Sequence, residues 1–178
     1  MLHQIVCAGF GGQGVMLLGQ VLAYAGMLEG KEVSWYPSYG PEMRGGTANC
    51  TTVISDSVIG SPVVSNPTAL IVMNQPSLEK FKDRVEPGGL LLYNSSLVSE
   101  YEPKSGIRAY PIDAGRVAAE LGNPKVANIV VLGALLALAK PVTVSSAKKA
   151  LEMVLPARRH HLLSLNYAAL EKGVELVD

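Results

Sequence analysis

The chain reads as a three-layer, Rossmann-like α/β domain: a largely parallel sheet, helices on both faces and a helical C-terminal part. Two observations predict it. Short, uncharged apolar runs alternate with helical periodicity as far as Ala114, the pattern of buried strands joined by crossover helices. Beyond Ala114 only helical spacing recurs. The length of 178 residues suits a single domain over 1–178, at roughly 100–200 residues per domain.

Leu2 to Ala8 forms a buried strand that runs into a glycine turn. A helix follows, with Val15, Leu18, Leu22 and Ala25 on one face and Gly30 as its stop. Val33 to Tyr36 is a second strand. Pro37 to Gly46, with two prolines and three glycines, is too irregular for an element. Thr47 to Ser55 alternates, with Ala48, Cys50, Thr52 and Ile54 on one face, as in a half-buried strand antiparallel to its neighbours. Val58 to Val64 is a further short strand, ended by Asn66–Pro67. Ala69 to Met73 is a buried strand, and Pro76 fits the first turn of the helix after it. Leu90–Tyr93 and Arg108–Ile112 complete the strands. Helices then cover about 115–121, 128–139, 144–154 and 162–176. The last carries Leu163, Tyr167, Leu170 and Val174 in one stripe.

Composition excludes several classes. A content of 48% hydrophobic and 17% charged residues is that of a globular chain rather than a disordered one. Fifteen basic residues balance fifteen acidic ones, so no basic stripe is available for nucleic acid. Near-zero net charge favours association. The longest apolar run, Ile129 to Ala139, is far short of the roughly 20 residues of a membrane span. With no leader pattern at the start, a cytoplasmic protein is expected. Cys7 and Cys50 lie in apolar runs and read as core thiols, not as a disulfide or a ligand pair. Two cysteines cannot furnish a four-thiolate cluster, and three histidines offer no zinc spacing.

The first chemical signal is Gly9–Phe10–Gly11–Gly12–Gln13–Gly14, between a strand and a helix. Glycines there let backbone amides approach a pyrophosphate at the helix N-terminus. A nicotinamide site would also need an acidic residue at the end of the second strand, where the chain has Tyr36–Pro37–Ser38–Tyr39. A dinucleotide is therefore disfavoured. Two readings stay open: glycines that only let strand and helix pack, and an anion or partner site.

The second signal is the segment from Ser38 to Cys50. It includes Tyr39, Gly40, Pro41, Glu42, Met43, Arg44, Gly45 and Gly46. Arg44 beside two glycines offers a guanidinium fork and free amides to a carboxylate or phosphate. Pairing of Glu42 with Arg44 in a solvated loop accounts for the residues equally well.

These stretches, with Ser61–Pro62, Met73–Asn74–Gln75–Pro76–Ser77, Asn128 and Asn166, occur in the order of a known family. The chain resembles the gamma subunit of the thiamine-diphosphate-dependent 2-oxoacid:ferredoxin oxidoreductases over nearly its whole length. The Gly-Pro-Glu-Met-Arg-Gly-Gly run is most like the 2-oxoglutarate enzymes, with a branched-chain 2-oxoacid as the other option. The resemblance implies a holoenzyme that decarboxylates a 2-oxoacid and passes the acyl group to coenzyme A. Its partners would be alpha, beta and ferredoxin-like delta subunits. Thiamine diphosphate, Mg²⁺, iron–sulfur clusters and coenzyme A would then lie on or between other subunits, with none tightly bound to this chain. The alternative is a free-standing oxidoreductase binding NAD or flavin.

In a mostly parallel sheet, ligands gather at the carboxyl ends of the strands. The expected contacts are Gly9, Gly11, Gly12, Gln13 and Gly14, then Ser38, Tyr39, Gly40, Glu42, Arg44, Gly45 and Gly46, with Asn74 and Gln75. Asn94, Ser95, Ser96 and Asp113 end the later strands. Arg158–Arg159–His160–His161 reads as a solvated face, and Trp35 and Tyr36 as core or interface aromatics. No catalytic acid, base or nucleophile is expected.

Overall fold

The computed structural model describes residues 1–38, 47–102 and 104–177. The strands are β1 (Leu2–Phe10), β2 (Glu32–Ser38), β3 (Thr47–Ser55), β4 (Ala69–Val72), β5 (Leu90–Asn94) and β6 (Arg108–Ile112). The helices are α1 (Val15–Leu28), α2 (Gln75–Phe81), α3 (Ala114–Glu120), α4 (Ala127–Ala139), α5 (Val144–Val154) and α6 (Leu163–Glu175). The strands form one sheet in the order β2-β3-β1-β4-β5-β6. β1, β4, β5 and β6 pair in parallel, while β3 is antiparallel to both β1 and β2. Five strands therefore run the same way and only β3 opposes them, as its alternating pattern predicted.

Strand pleating divides the core. Ile5 and Cys7 of β1, with Ile71 and Leu92, face α1, α3, α4, α5 and α6. Val6 and Ala8, with Leu70, Val72 and Leu91, face α2 through Leu78 and Phe81. Helices cover both faces, as expected, but five lie on one side and one on the other.

Two expectations need correction. Residues 58–64 form no strand. Pro62 lacks an amide, Val58 and Val63 are 87% and 66% exposed, and Arg84 takes the carbonyls of Val64 and Ser65. A segment so held has no ladder to offer a neighbour. The stripe expected on α6 is also displaced. Its buried residues are Asn166, Ala169, Leu170 and Gly173, while Leu163, Tyr167 and Val174 are half-buried. The reason is a close helix crossing. A Cβ added at Gly133 of α4 would lie 2.0 Å from the Leu170 carbonyl oxygen, and one at Gly173 would lie 1.9 Å from that of Val130. The crossing fixes which face of α6 turns inward.

The helix boundaries follow local chemistry. Gly30, at φ 70°, ends the turn after α1, where an L side chain would be strained. Asn74 caps α2 by accepting from the Ser77 amide, and Pro76 occupies the first turn. α4 is apolar on all sides, with every residue from Asn128 to Leu136 buried. Among the described residues, no helix is long and apolar enough to cross a membrane.

Candidate functional site

The strand order creates a switch point. From β1 the chain turns through α1 toward β2 at one edge, and from β4 it turns through α2 toward β5 and the other edge. β1 and β4 are neighbours, and α1 and α2 lie on opposite faces. The crevice outside their carboxyl ends is where open α/β sheets bind ligands. The glycine loop Gly9–Gly14 and the pair Asn74–Gln75 flank this crevice.

Gln13 fills the crevice with its own side chain. Its Oε1 accepts from the Phe10 amide at 2.7 Å and from Asn74 Nδ2 at 2.8 Å. Its Nε2 donates to the Met73 carbonyl at 3.2 Å. Asn74 is equally committed, since its Oδ1 caps α2 at 2.9 Å while its Nδ2 meets Gln13. Gln75 donates to the Glu100 carbonyl at 2.8 Å and accepts from the amides of Ser99 and Glu100. The three amide side chains expected at a ligand are thus the braces of the loops around it.

The loop also offers backbone. Gly11 and Gly12 are exposed, Gly12 and Gly14 have φ of 92° and 75°, and no side chain caps the N-terminus of α1. Among the described residues, the amides of Gly11, Gly12, Val15, Met16 and Leu17 meet no acceptor, while Leu18 donates to the Gly14 carbonyl at 3.2 Å. Such amides carry partial positive charge toward an anion or a partner's acidic group. Gly9 is buried instead and serves packing, because a Cβ there would strike Gln13, Val15 and Met73 within 3.0 Å.

Beside the loop lies a cavity of about 300 Å³, lined by Gly12, Gln13, Met73, Asn94, Lys125 and Asn128 among others. Asn128, 3% exposed, donates to the Gly14 carbonyl at 3.2 Å, and its Oδ1 has no partner among the described residues. At the rim, Ser96 donates to Asp113 at 2.6 Å and accepts from the Gly115 amide at 3.0 Å. The Ser96 hydroxyl, with Arg116 at 2.9 Å, outweighs slight burial and holds the Asp113 carboxyl below its usual range. A wider depression of about 750 Å³ spans Glu79 to Lys104, and both of its lysines are already paired, Lys82 with Glu79 and Lys104 with Asp83. The cavity beside the glycine loop, next to the exposed amides, is the better site.

Of the sequence-predicted residues, Gly9, Gly11, Gly12, Gln13, Gly14, Asn74 and Gln75 gather at this corner. Ser38 ends β2 at the same sheet edge, in register with Asn49. Tyr39, Gly40, Glu42, Arg44, Gly45 and Gly46 lie outside the described residues. Their flanking strands emerge beside the glycine loop, since Thr47 pairs with Phe10. Sequence reasoning missed Lys125 as a lining residue and the bond from Asn128 to Gly14. An amide in the otherwise apolar run Val126–Leu132 was the available signal. Arg158 to His161 lie in an exposed 3-10 turn and His160 meets the Leu155 carbonyl, away from this corner. Among the described residues, no three His, Cys, Asp or Glu side chains gather as a metal set.

Comparison with known proteins decides the family. Residues 4–176 match the family model described as pyruvate ferredoxin/flavodoxin oxidoreductase. The chain belongs to this family. It is 38% identical to 2-oxoglutarate synthase subunit KorC of Methanocaldococcus jannaschii, covering 99% of this chain and 94% of that one. It is 40% identical to ketoisovalerate oxidoreductase subunit VorA of Methanothermobacter thermautotrophicus over 97% of its own length, but spans only 36% of that relative. A keto/oxoacid ferredoxin oxidoreductase gamma subunit from Geobacter sulfurreducens superposes with a TM-score of 0.85 at 32% identity, covering 98% of both chains. A 2-oxoglutarate:ferredoxin oxidoreductase from Magnetococcus marinus, solved with 2-oxoglutarate, coenzyme A and succinyl-CoA bound, gives a TM-score of 0.88 at 27% identity. That match covers 99% of this chain and 31% of the other. The reading as a free-standing nucleotide-binding oxidoreductase finds no support in these matches.

Proposed function

We propose that this chain is the gamma component of a cytoplasmic, thiamine-diphosphate- and iron–sulfur-dependent 2-oxoacid:ferredoxin oxidoreductase. It works with alpha, beta and ferredoxin-like delta subunits in the oxidative decarboxylation of 2-oxoglutarate to its acyl-CoA. The observation that carries the reading is the end-to-end match to a gamma subunit and to KorC. Two thiols, both buried, do not fit an iron–sulfur cluster on this chain. The glycine-loop amides, the cavity beside them and the Arg44 segment suit docking on the thiamine-bearing subunits and walling the coenzyme A approach. This chain's part is to bind and to exclude water, and it supplies no acid, base or nucleophile.

Anaerobic purification of the tagged chain from its host tests the reading. The expected result is co-purification of the other subunits, with viologen reduction that requires coenzyme A and prefers 2-oxoglutarate to ketoisovalerate. Preference for ketoisovalerate would move the substrate to the VorA type, and a chain isolated without partners would end the proposal. Arg44→Ala should weaken assembly or raise the coenzyme A requirement. Unchanged assembly and kinetics would remove Arg44 from the site.

A further inference from the structure

Cys7 and Cys50, read from sequence as separate core thiols, are direct partners across the antiparallel pair β1 and β3. Both side chains enter the same half of the core, beneath α1. Residues directly opposite in an antiparallel pair have Cα atoms about 4.5–5.5 Å apart, inside the roughly 4.4–6.8 Å window of disulfides. The register therefore permits a bond without moving either strand along the other.

One sulfur packs directly against the helix backbone. Above Cys50 Sγ the helix presents Gly19, where an added Cβ would lie 2.5 Å from Sγ and 2.7 Å from Trp35 Nε1. That indole nitrogen is buried and has no hydrogen-bond partner among the described residues. Cys50 Sγ itself donates to the Val15 carbonyl at 3.2 Å, which ties β3 to the first turn of α1. Cys7 lies two residues before Gly9, and Cys50 three residues after Thr47. The pair thus sits close in sequence to the glycine loop and to the start of β3.

We propose that Cys7 and Cys50 are a modification site, closing to a reversible cross-strand disulfide when the protein meets a peroxide. Hydrogen bonding to Cys50, with burial, pushes the Cys7 thiol up, so Cys50 is the sulfur that attacks. The Cys50 thiolate attacks one peroxide oxygen, the O–O bond breaks, and a sulfenic acid and water form. The Cys7 sulfur then displaces hydroxide from the sulfenic acid, and the second water leaves with the Cys7 proton. Two thiols and one hydrogen peroxide become one disulfide and two waters, each sulfur giving up one electron. Both thiols are fully buried, so the peroxide enters through opening of edge strand β2, which carries Trp35. The reaction is therefore slower than at an exposed thiol. Once closed, the disulfide has no S–H for Val15, and the hydrogen bond that steadies the start of α1 is lost.

The test is to expose the full chain to hydrogen peroxide without denaturant, quench with an alkylating agent, and digest under non-reducing conditions. The expected result is a Cys7–Cys50 linked peptide, a mass loss of two hydrogens and full reversal by dithiothreitol. Emission from Trp35, the single tryptophan, should change with the same time course. Hydrogen exchange should show lost protection in the first turn of α1. Cys50→Ala should abolish the link and the Trp35 response. If that variant fails to fold, the linked peptide from the unsubstituted chain still decides. Two alkylated thiols after exposure, overoxidation of either cysteine without a link, or bonds only between copies would each overturn the proposal.

Discussion

Glycine does opposite work at two places in this molecule. At the β1–α1 corner, Gly12 has positive φ and, among the described residues, nothing within 4 Å of where a Cβ would stand, so it is needed for conformation. At the α4–α6 crossing, Gly133 and Gly173 are helical, and each is needed because a backbone carbonyl occupies the place of its Cβ. The first region is braced by polar side chains around exposed amides, while the second is held by apolar packing with no gap. The part offered to partners is thus kept in shape by replaceable hydrogen bonds, and the part that carries the fold by contacts that admit no substitute.

The largest effect should come from breaking the crossing. Gly133→Ala or Gly173→Ala pushes a methyl into a backbone carbonyl, at the upper end of overpacking costs, about 3 kcal/mol or more. Denaturant unfolding of the chain should show it, and a loss below 1 kcal/mol would mean that the helices separate easily. Next is Gln13→Ala, which strands the Phe10 amide, the Met73 carbonyl and Asn74 Nδ2. About 2 kcal/mol is expected, with hydrogen exchange rising at Phe10 and the start of α2 but not in α4 or α6. Gly12→Ala should cost only about 1 kcal/mol, from the left-handed backbone alone. Gly12→Asn should recover part of that, since asparagine tolerates the region, whereas no side chain should rescue Gly133.

The smallest effect is acid sensitivity at the cavity rim. Asp113 has a folded pKa below its unfolded value, so its contribution is present above the ordinary carboxylate range and is lost as pH falls through the lowered value. Acidification should free Ser96 and Arg116 and lower the protection factor of the Gly115 amide. Asp113→Asn should make that protection factor independent of pH in the same window, and a pH response of the protection factor that survives the substitution would assign the effect to another group.

Much of this was legible in the chain because it depends on short-range order. Burial in β1, β4 and β5 follows from uncharged apolar runs, the antiparallel β3 from its alternation, and the start of α2 from Asn74 and Pro76. The glycine loop was placed by its position between strand and helix. Its family followed from motifs in order, and the comparisons support that membership. The failures share one cause. Val58–Val64 has the pattern of a strand, but Arg84 claims its carbonyls from elsewhere in the chain. The face of α6 was misjudged because a helix turns toward the neighbour that can approach it most closely, and Gly133 lies forty residues away from Gly173.

The same distinction runs through the site. Sequence alone determined that glycines and short amides would collect at the carboxyl edge, because strand polarity and loop composition are written locally. Only the tertiary structure decided that Gln13, Asn74 and Gln75 brace the loops, that Asn128 reaches Gly14, and that Cys7 faces Cys50. Each of those is a contact between segments distant along the chain. Sheet register and helix crossing choose such partners, and no local pattern carries them.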